Sequence, residues 1–162
     1  MQYRLEEKQA FQIVGVKKRI PLVYRGVNEH MQELFARFTE QDFVDLKELC
    51  DMEPKGILCV SANFEEGRGE GTMLDQYIGV ATTQNAPSKW DALSVEAGTW
   101  AVFSAVGRFP DALQDIWARI YAQWFPSSGY VSTGGPEMLW NQSRDTSLKD
   151  YRSEIFIPVR KG

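Results

Sequence analysis

Two six-residue stretches, Asp75-Gln76-Tyr77-Ile78-Gly79-Val80 and Glu154-Ile155-Phe156-Ile157-Pro158-Val159, align without a gap as acid, any residue, aromatic, Ile, Gly or Pro, Val. Upstream of them, Phe11-Gln12-Ile13-Val14-Gly15 lies over Trp100-Ala101-Val102-Phe103-Ser104. Matches this short arise by chance, so their weight comes from position: each pair falls at the same place in a β-α-β-β order. The chain therefore reads as an α+β fold of two duplicated units about a pseudo-two-fold axis. Antiparallel sheets lie edge to edge, helices pack on them, and a cleft forms at the centre. Repeat 1 is expected over about 8–84 and repeat 2 over about 90–161 of a single domain, 1–162.

Working outward, the spacing predicts a strand from Ala10 to about residue 20, behind a charged lead-in, Met1 to Lys8. Asn28 is placed to cap a helix bearing Met31, Leu34, Phe35 and Phe38, and Thr39 to cap its continuation through Phe43, Leu46 and Leu49. Strands follow at Ile57–Asn63 and Leu74–Thr82. The Gly67-Arg68-Gly69-Glu70-Gly71 run between them is a hairpin loop, because it lacks the Lys-Ser/Thr of a phosphate-binding loop and opens no helix. In the second unit a short edge strand at Ala92–Val95 precedes Thr99–Val106. Leu113, Ile116, Trp117, Ile120, Tyr121 and Trp124 then repeat at helical spacing, with Pro110 near the first turn and Pro126 just past the end.

Composition excludes more than it selects. The 162 residues carry 18 Lys+Arg against 22 Asp+Glu, a net charge of -4, so no uniform basic field awaits a phosphate backbone and nucleic acid is not an expected partner. The lone histidine, His30, starves His-based triads and most zinc sites of ligands, and neither a metal nor another cofactor is expected. Cys50 and Cys59 form no C-x-x-C motif and read as small, reduced side chains. Without a signal-peptide core or a run of about 20 apolar residues, the chain reads as cytoplasmic, with no membrane partner. Five Trp, six Tyr and nine Phe remain to be placed.

Strand alternation begins to place them. In the last strand Ile155, Ile157 and Val159 share an aliphatic face fit for a helix, leaving Glu154 beside Phe156 on the other. The equivalent strand sets Asp75 beside Tyr77, and a dyad would bring both sets toward one cleft. An acid among rings suits a flat apolar cation, through ring area and cation–π attraction. Spacing alone slightly favours the plainer account, in which the acids are solvated and the rings pair across strands. Trp117, Trp124 and Phe35 belong with the helical core, whereas Trp90, Trp100, Tyr130 and Trp140 lack a buried period and are candidates to line the cavity.

The stretches Gly107-x-Phe109-Pro110-x-Ala112-Leu113, Trp124-Phe125-Pro126-Ser127-Ser128-Gly129-Tyr130, Gly135-Pro136-Glu137 and the terminal Glu-Ile-Phe-Ile-Pro-Val together resemble the GyrI-like small-molecule-binding domain. The same fold serves as the effector-binding domain of multidrug-sensing bacterial regulators. The resemblance implies SH2-like repeats around a cleft for apolar, often cationic aromatic compounds, with Glu154 as its central polar group. The expected ligand contacts are Glu154, Phe156, Asp75, Tyr77, Trp90, Trp100, Tyr130 and Trp140. With the first strand near residue 10, a standalone domain with no DNA-binding domain is expected. Many relatives place a further acid after the Gly-Pro turn, where this chain has Met138, Leu139 and Trp140, so its cleft is expected to be more apolar. Some standalone relatives resemble hydrolases of cyclopropane-bearing DNA-alkylating natural products. Under that alternative Glu154 orients or deprotonates a water, and Tyr130, Tyr77, Trp100 or Trp140 holds the substrate. A protein target, known for part of the family, has no residue signature here.

Overall fold

Only Gln9 and Ala10 separate strand β1 (Tyr3–Lys8) from β2 (Phe11–Pro21), and only Glu96 and Ala97 separate β5 (Asp91–Val95) from β6 (Gly98–Val106). The computed structural model, which describes residues 1–23 and 28–162, makes these short links decisive. Its sheet runs β1-β6-β9-β8-β3-β4-β2-β5, with β3 (Leu58–Ala62), β4 (Met73–Thr82), β8 (Glu137–Asn141) and β9 (Arg152–Lys161) inside; β7 (Tyr130–Ser132) is added alongside β9. In a flat sheet β1 and β2 would lie six strand spacings, about 29 Å, apart. Three Cα steps from Lys8 to Phe11 cover at most about 11 Å. The sheet must therefore roll, and the Phe11 and Trp100 rings from its two ends meet at 6.1 Å.

That strand order is its own mirror. Exchanging β1 with β5, β2 with β6, β3 with β8 and β4 with β9 reproduces it in reverse, about a seam where Val60 of β3 pairs with Met138 of β8. The two expected sheets are thus one continuous sheet. The β4-over-β9 alignment agrees with this exchange. The β2-over-β6 alignment slips by four residues: Gly79 pairs with Gly15, whereas its counterpart Pro158 pairs with Trp100, which puts Trp100 at the place of Gly15 and not of Phe11. An even slip keeps every side chain on its face.

The residues read as a lead-in form β1, paired with β6 from Tyr3↔Phe103 to Lys8↔Gly98. Its charged residues hid the alternation that sends Arg4, Glu6 and Lys8 one way and Tyr3, Leu5 and Glu7 the other.

All helices pack on the outer face. Helix α1 (Glu29–Phe35) is capped by Asn28, whose side chain accepts from His30 N–H; α2 (Glu40–Leu49) starts with a complete capping box between Thr39 and Asp42. Leu46 packs against Val14 and Val80. In the second unit Leu113 and Ile116 of α3 (Asp111–Arg119) cover Ala101, Phe103, Ile155, Ile157 and Val159. This helix outruns its expected end. A π-turn over Ile120–Trp124, closed by Phe125 N–H to Ile120 C=O, lets the backbone pass Pro126, which has no N–H to give, into α4 (Phe125–Ser128). Gly129, at φ 81°, then ends it. Among the described residues no helix is long and apolar enough to cross a membrane.

Candidate ligand cleft

Rolling gives the sheet a concave inner face, and the registers say which side chains enter it. One row runs Arg4, Val102, Phe156, Met138, Val60, Tyr77 across β1, β6, β9, β8, β3 and β4. The next row on the same face runs Ser104, Glu154, Trp140, Leu58, Gly79, Gly15. Trp100, opposite Glu6 and Pro158, extends the face on the far side. Phe156, Tyr77, Trp100 and Met138 are buried in one cluster with Phe11, Ile13 and Val102; Trp140 and Met52 are partly buried against it.

The carboxylates on this face are already engaged. Arg4 Nη1 donates to Glu154 Oε2 at 2.7 Å, and the Glu154 side chain keeps 16% of its exposure. Lys8 Nζ sits 5.6 Å from the Phe156 ring centroid, donates to Glu53 C=O at 3.2 Å and lies 3.4 Å from Glu6, which also pairs with Arg4. At the symmetry-related end Asp75 accepts from Arg19 at 3.2 Å and from Asn63 at 2.8 Å. Burial works against the Asp75 carboxylate, yet these two bonds hold its pKa below the usual range. Burial also raises the Tyr77 phenol, with Asp75 adding to the effect, so Tyr77 stays protonated near neutral pH. Trp100 Nε1 is buried with no hydrogen-bond partner among the described residues.

Of the residues expected to line the cavity, the structure brings Glu154, Phe156, Tyr77, Trp100 and Trp140 onto the concave face, with Asp75 on the same face opposite Ala62. Two are elsewhere. Trp90 packs on the outer face with Phe38, 6.2 Å between ring centroids, against the Val14, Leu46 and Val80 cluster. Tyr130 stacks on Trp124 at 6.0 Å and 12° and borders an open outer groove of about 610 Å³ with Leu5, Thr99, Val159 and Lys161. Both sit in segments too short for a period of two to reveal their side. Arg4 and Lys8 were missed; the signal was the alternation within Tyr3–Lys8, masked by its charges. Among the described residues no group of three or more His, Cys, Asp or Glu is placed to hold a metal.

Comparison with known proteins turns this geometry into a family. A family model for the GyrI-like small molecule binding domain matches residues 1–160. Among solved structures, SAV2435 bound to tetraphenylphosphonium has 23% identity and a TM-score of 0.69, over 99% of this chain and 94% of that one. A protein of Staphylococcus aureus MU50, described as a bacterial transcription regulation protein, has 24% identity and the same TM-score over 100% and 99%. The EcmrR C-terminal domain has 16% identity and a TM-score of 0.64, over 99% and 98%. These likenesses show a common fold. No curated protein sequence matches the chain. Matched over nearly its whole length, and with a strand order that repeats itself about the β3·β8 seam, the chain belongs to the family of GyrI-like small-molecule-binding domains.

Proposed function

We propose that the concave face binds flat, apolar aromatic small molecules, cationic ones among them, in a cleft centred on Glu154, and so sequesters or senses them. The observation that carries this reading is the gathering of Phe156, Tyr77, Trp100 and Trp140 in one apolar cluster on the face opposite the helices, with the partly buried Glu154 carboxylate on the same face beside Trp140. The tetraphenylphosphonium held by a structural neighbour supports it. A ligand burying roughly 300 Å² of apolar surface gains about 7.5 kcal/mol before ordering costs, enough to approach micromolar affinity without exact hydrogen bonding. Phe156, Trp100 and Trp140 would supply the stacking area, Tyr77 and Asp75 the far wall. Cytoplasmic placement and function as a standalone unit belong to the same proposal.

Binding is better supported than hydrolysis. The hydrolytic alternative needs Glu154 to manage a water and is best served by Tyr130 nearby, but Arg4 holds the carboxylate and Tyr130 lies on the other face. Titration of tryptophan fluorescence with a panel of lipophilic aromatic compounds tests the proposal. Saturable quenching that weakens in Phe156→Ala and Trp140→Ala is expected; no saturable response to any of them would overturn it.

A further inference from the structure

Resting on that reading of the cleft, we infer that Arg4, Lys8 and Trp100 set its ligand class: the cleft selects neutral aromatic molecules that carry a hydrogen-bond acceptor, such as a ring carbonyl, over aromatic cations. Three carboxylates on the concave face already have a cation of the chain, and Asp91, opposite Gly15 at the β5 edge, accepts from the Lys17 backbone N–H. Glu154 accepts from Arg4 at 2.7 Å, Glu6 is shared by Arg4 and Lys8, and Asp75 accepts from Arg19 at 3.2 Å. The face of the Phe156 ring, where an incoming cation would gain its attraction, has the Lys8 ammonium 5.6 Å from its centroid. That ammonium is no stray surface charge, since its side chain retains only 8% of its exposure and is fixed by Glu53 C=O and Glu6.

A cationic ligand seated between Glu154 and Phe156 must therefore displace Arg4 or sit beside two like charges, and either course costs affinity. An acceptor meets the opposite situation. Of the buried side-chain polar atoms without a partner among the described residues, Trp100 Nε1 is the one on this face, and it is a donor. An indole N–H left unpaired in an apolar cluster gains from any acceptor brought to it. Both acids at the two ends of the pseudo-dyad are treated alike, one bridged by Arg4 and the other by Arg19, so the neutralisation belongs to the design of the face. Strand β1 delivers it to Glu154: Arg4, Glu6 and Lys8 are its inward residues, and among the described residues this edge strand pairs with β6 alone.

N-Methylacridone and N-methylacridinium test this, since they share a flat three-ring frame and differ in a neutral carbonyl against a positive charge. The wild-type protein should bind N-methylacridone at least about tenfold tighter by calorimetry near neutral pH. Arg4→Gln, which frees Glu154, should shift the ratio toward the cation by about tenfold, and Trp100→Phe should weaken the acridone by about fivefold and the acridinium less. Thermal midpoints of both variants confirm that they are folded; Arg4 is half-exposed on an edge strand, and Phe keeps the ring at position 100. A wild-type preference for the acridinium, or a ratio unmoved by Arg4→Gln, overturns the inference while leaving the cleft as a binding site. Failure of both compounds to bind the wild type overturns the inference and the cleft reading together.

Discussion

Arg68, in the loop between β3 and β4, reaches across the outer face to Glu137 of β8, its Nη1 lying 2.8 Å from the carboxylate Oε2. The Tyr121 hydroxyl, on the π-turn, donates to the same oxygen at 2.5 Å. The guanidinium also lies 3.8 Å from the centroid of the Phe64 ring. The Glu137 side chain has no exposure, so removing its cation leaves a charge stranded away from water. Burial works against the Arg68 charge, yet the bond to Glu137 holds its pKa above its ordinary value; burial likewise keeps Tyr121 a phenol. Arg68→Met should cost about 3–5 kcal/mol and Tyr121→Phe about 1–2 kcal/mol in urea unfolding. Adding Glu137→Gln to Arg68→Met should recover part of the loss; a fully additive cycle would show that the pair is not coupled.

Gly15 and Gly79 face each other across β2 and β4, and a Cβ on either would stand 1.9 Å from Ile78 C=O or 2.1 Å from Val14 C=O. Backbone cannot retreat from such contacts as a flexible side chain can. Gly15→Ala and Gly79→Ala should each cost more than about 3 kcal/mol or abolish soluble expression, whereas Gly69→Ala, with open space around it, should stay within about 0.5 kcal/mol. Parallel chemical denaturation of the three variants checks this.

Asp75 gives the protein an acid-sensitive component. Its carboxyl is held below the unfolded value by Asn63 and Arg19 against the effect of burial, so its stabilising contribution is complete above about pH 4 and disappears as pH falls through the lowered folded value. Asp75→Asn should therefore be less stable than wild type near neutral pH, with the gap narrowing as the pH falls below about 4. A gap constant across that range in urea melts would remove Asp75 from the acid response.

Thr39 closes the capping box of α2: its hydroxyl accepts from Asp42 N–H at 3.1 Å, and the Asp42 carboxylate accepts from Thr39 N–H at 2.9 Å. Thr39→Ala should lower stability by about 1 kcal/mol and Thr39→Ser by much less, as read from thermal midpoints.

Much of the architecture was legible because alternation and repetition are local signals. The parity of Glu154–Val159 assigned the aliphatic face to α3 and left Glu154 with Phe156 on the other, as the registers have it. Asn28 and Thr39 carried their caps in their side-chain chemistry. The roll of the sheet was not written in any one segment, since it follows from which strands pair across the chain. For that reason Trp90 and Tyr130, without a period of their own, fell on the wrong side of the expected cleft. Pro126 read as a helix end because the rule assumes α-geometry, and the π-turn evades it. The charges of β1 read as a lead-in, and the partner of Arg4, Glu154, is 150 residues away.

The crossing of edge strands makes the two halves interdependent. Strand β1 enters ahead of the first unit and completes the edge of the second at β6, while β5 enters ahead of the second and completes the edge of the first at β2. Neither half is then a self-sufficient building block: severed between β4 and β5, each would keep a strand whose hydrogen-bonding mate had left with the other. A backbone nick at the Asn85–Ser88 loop should accordingly leave two fragments clasped together, each carrying the strand the other lacks.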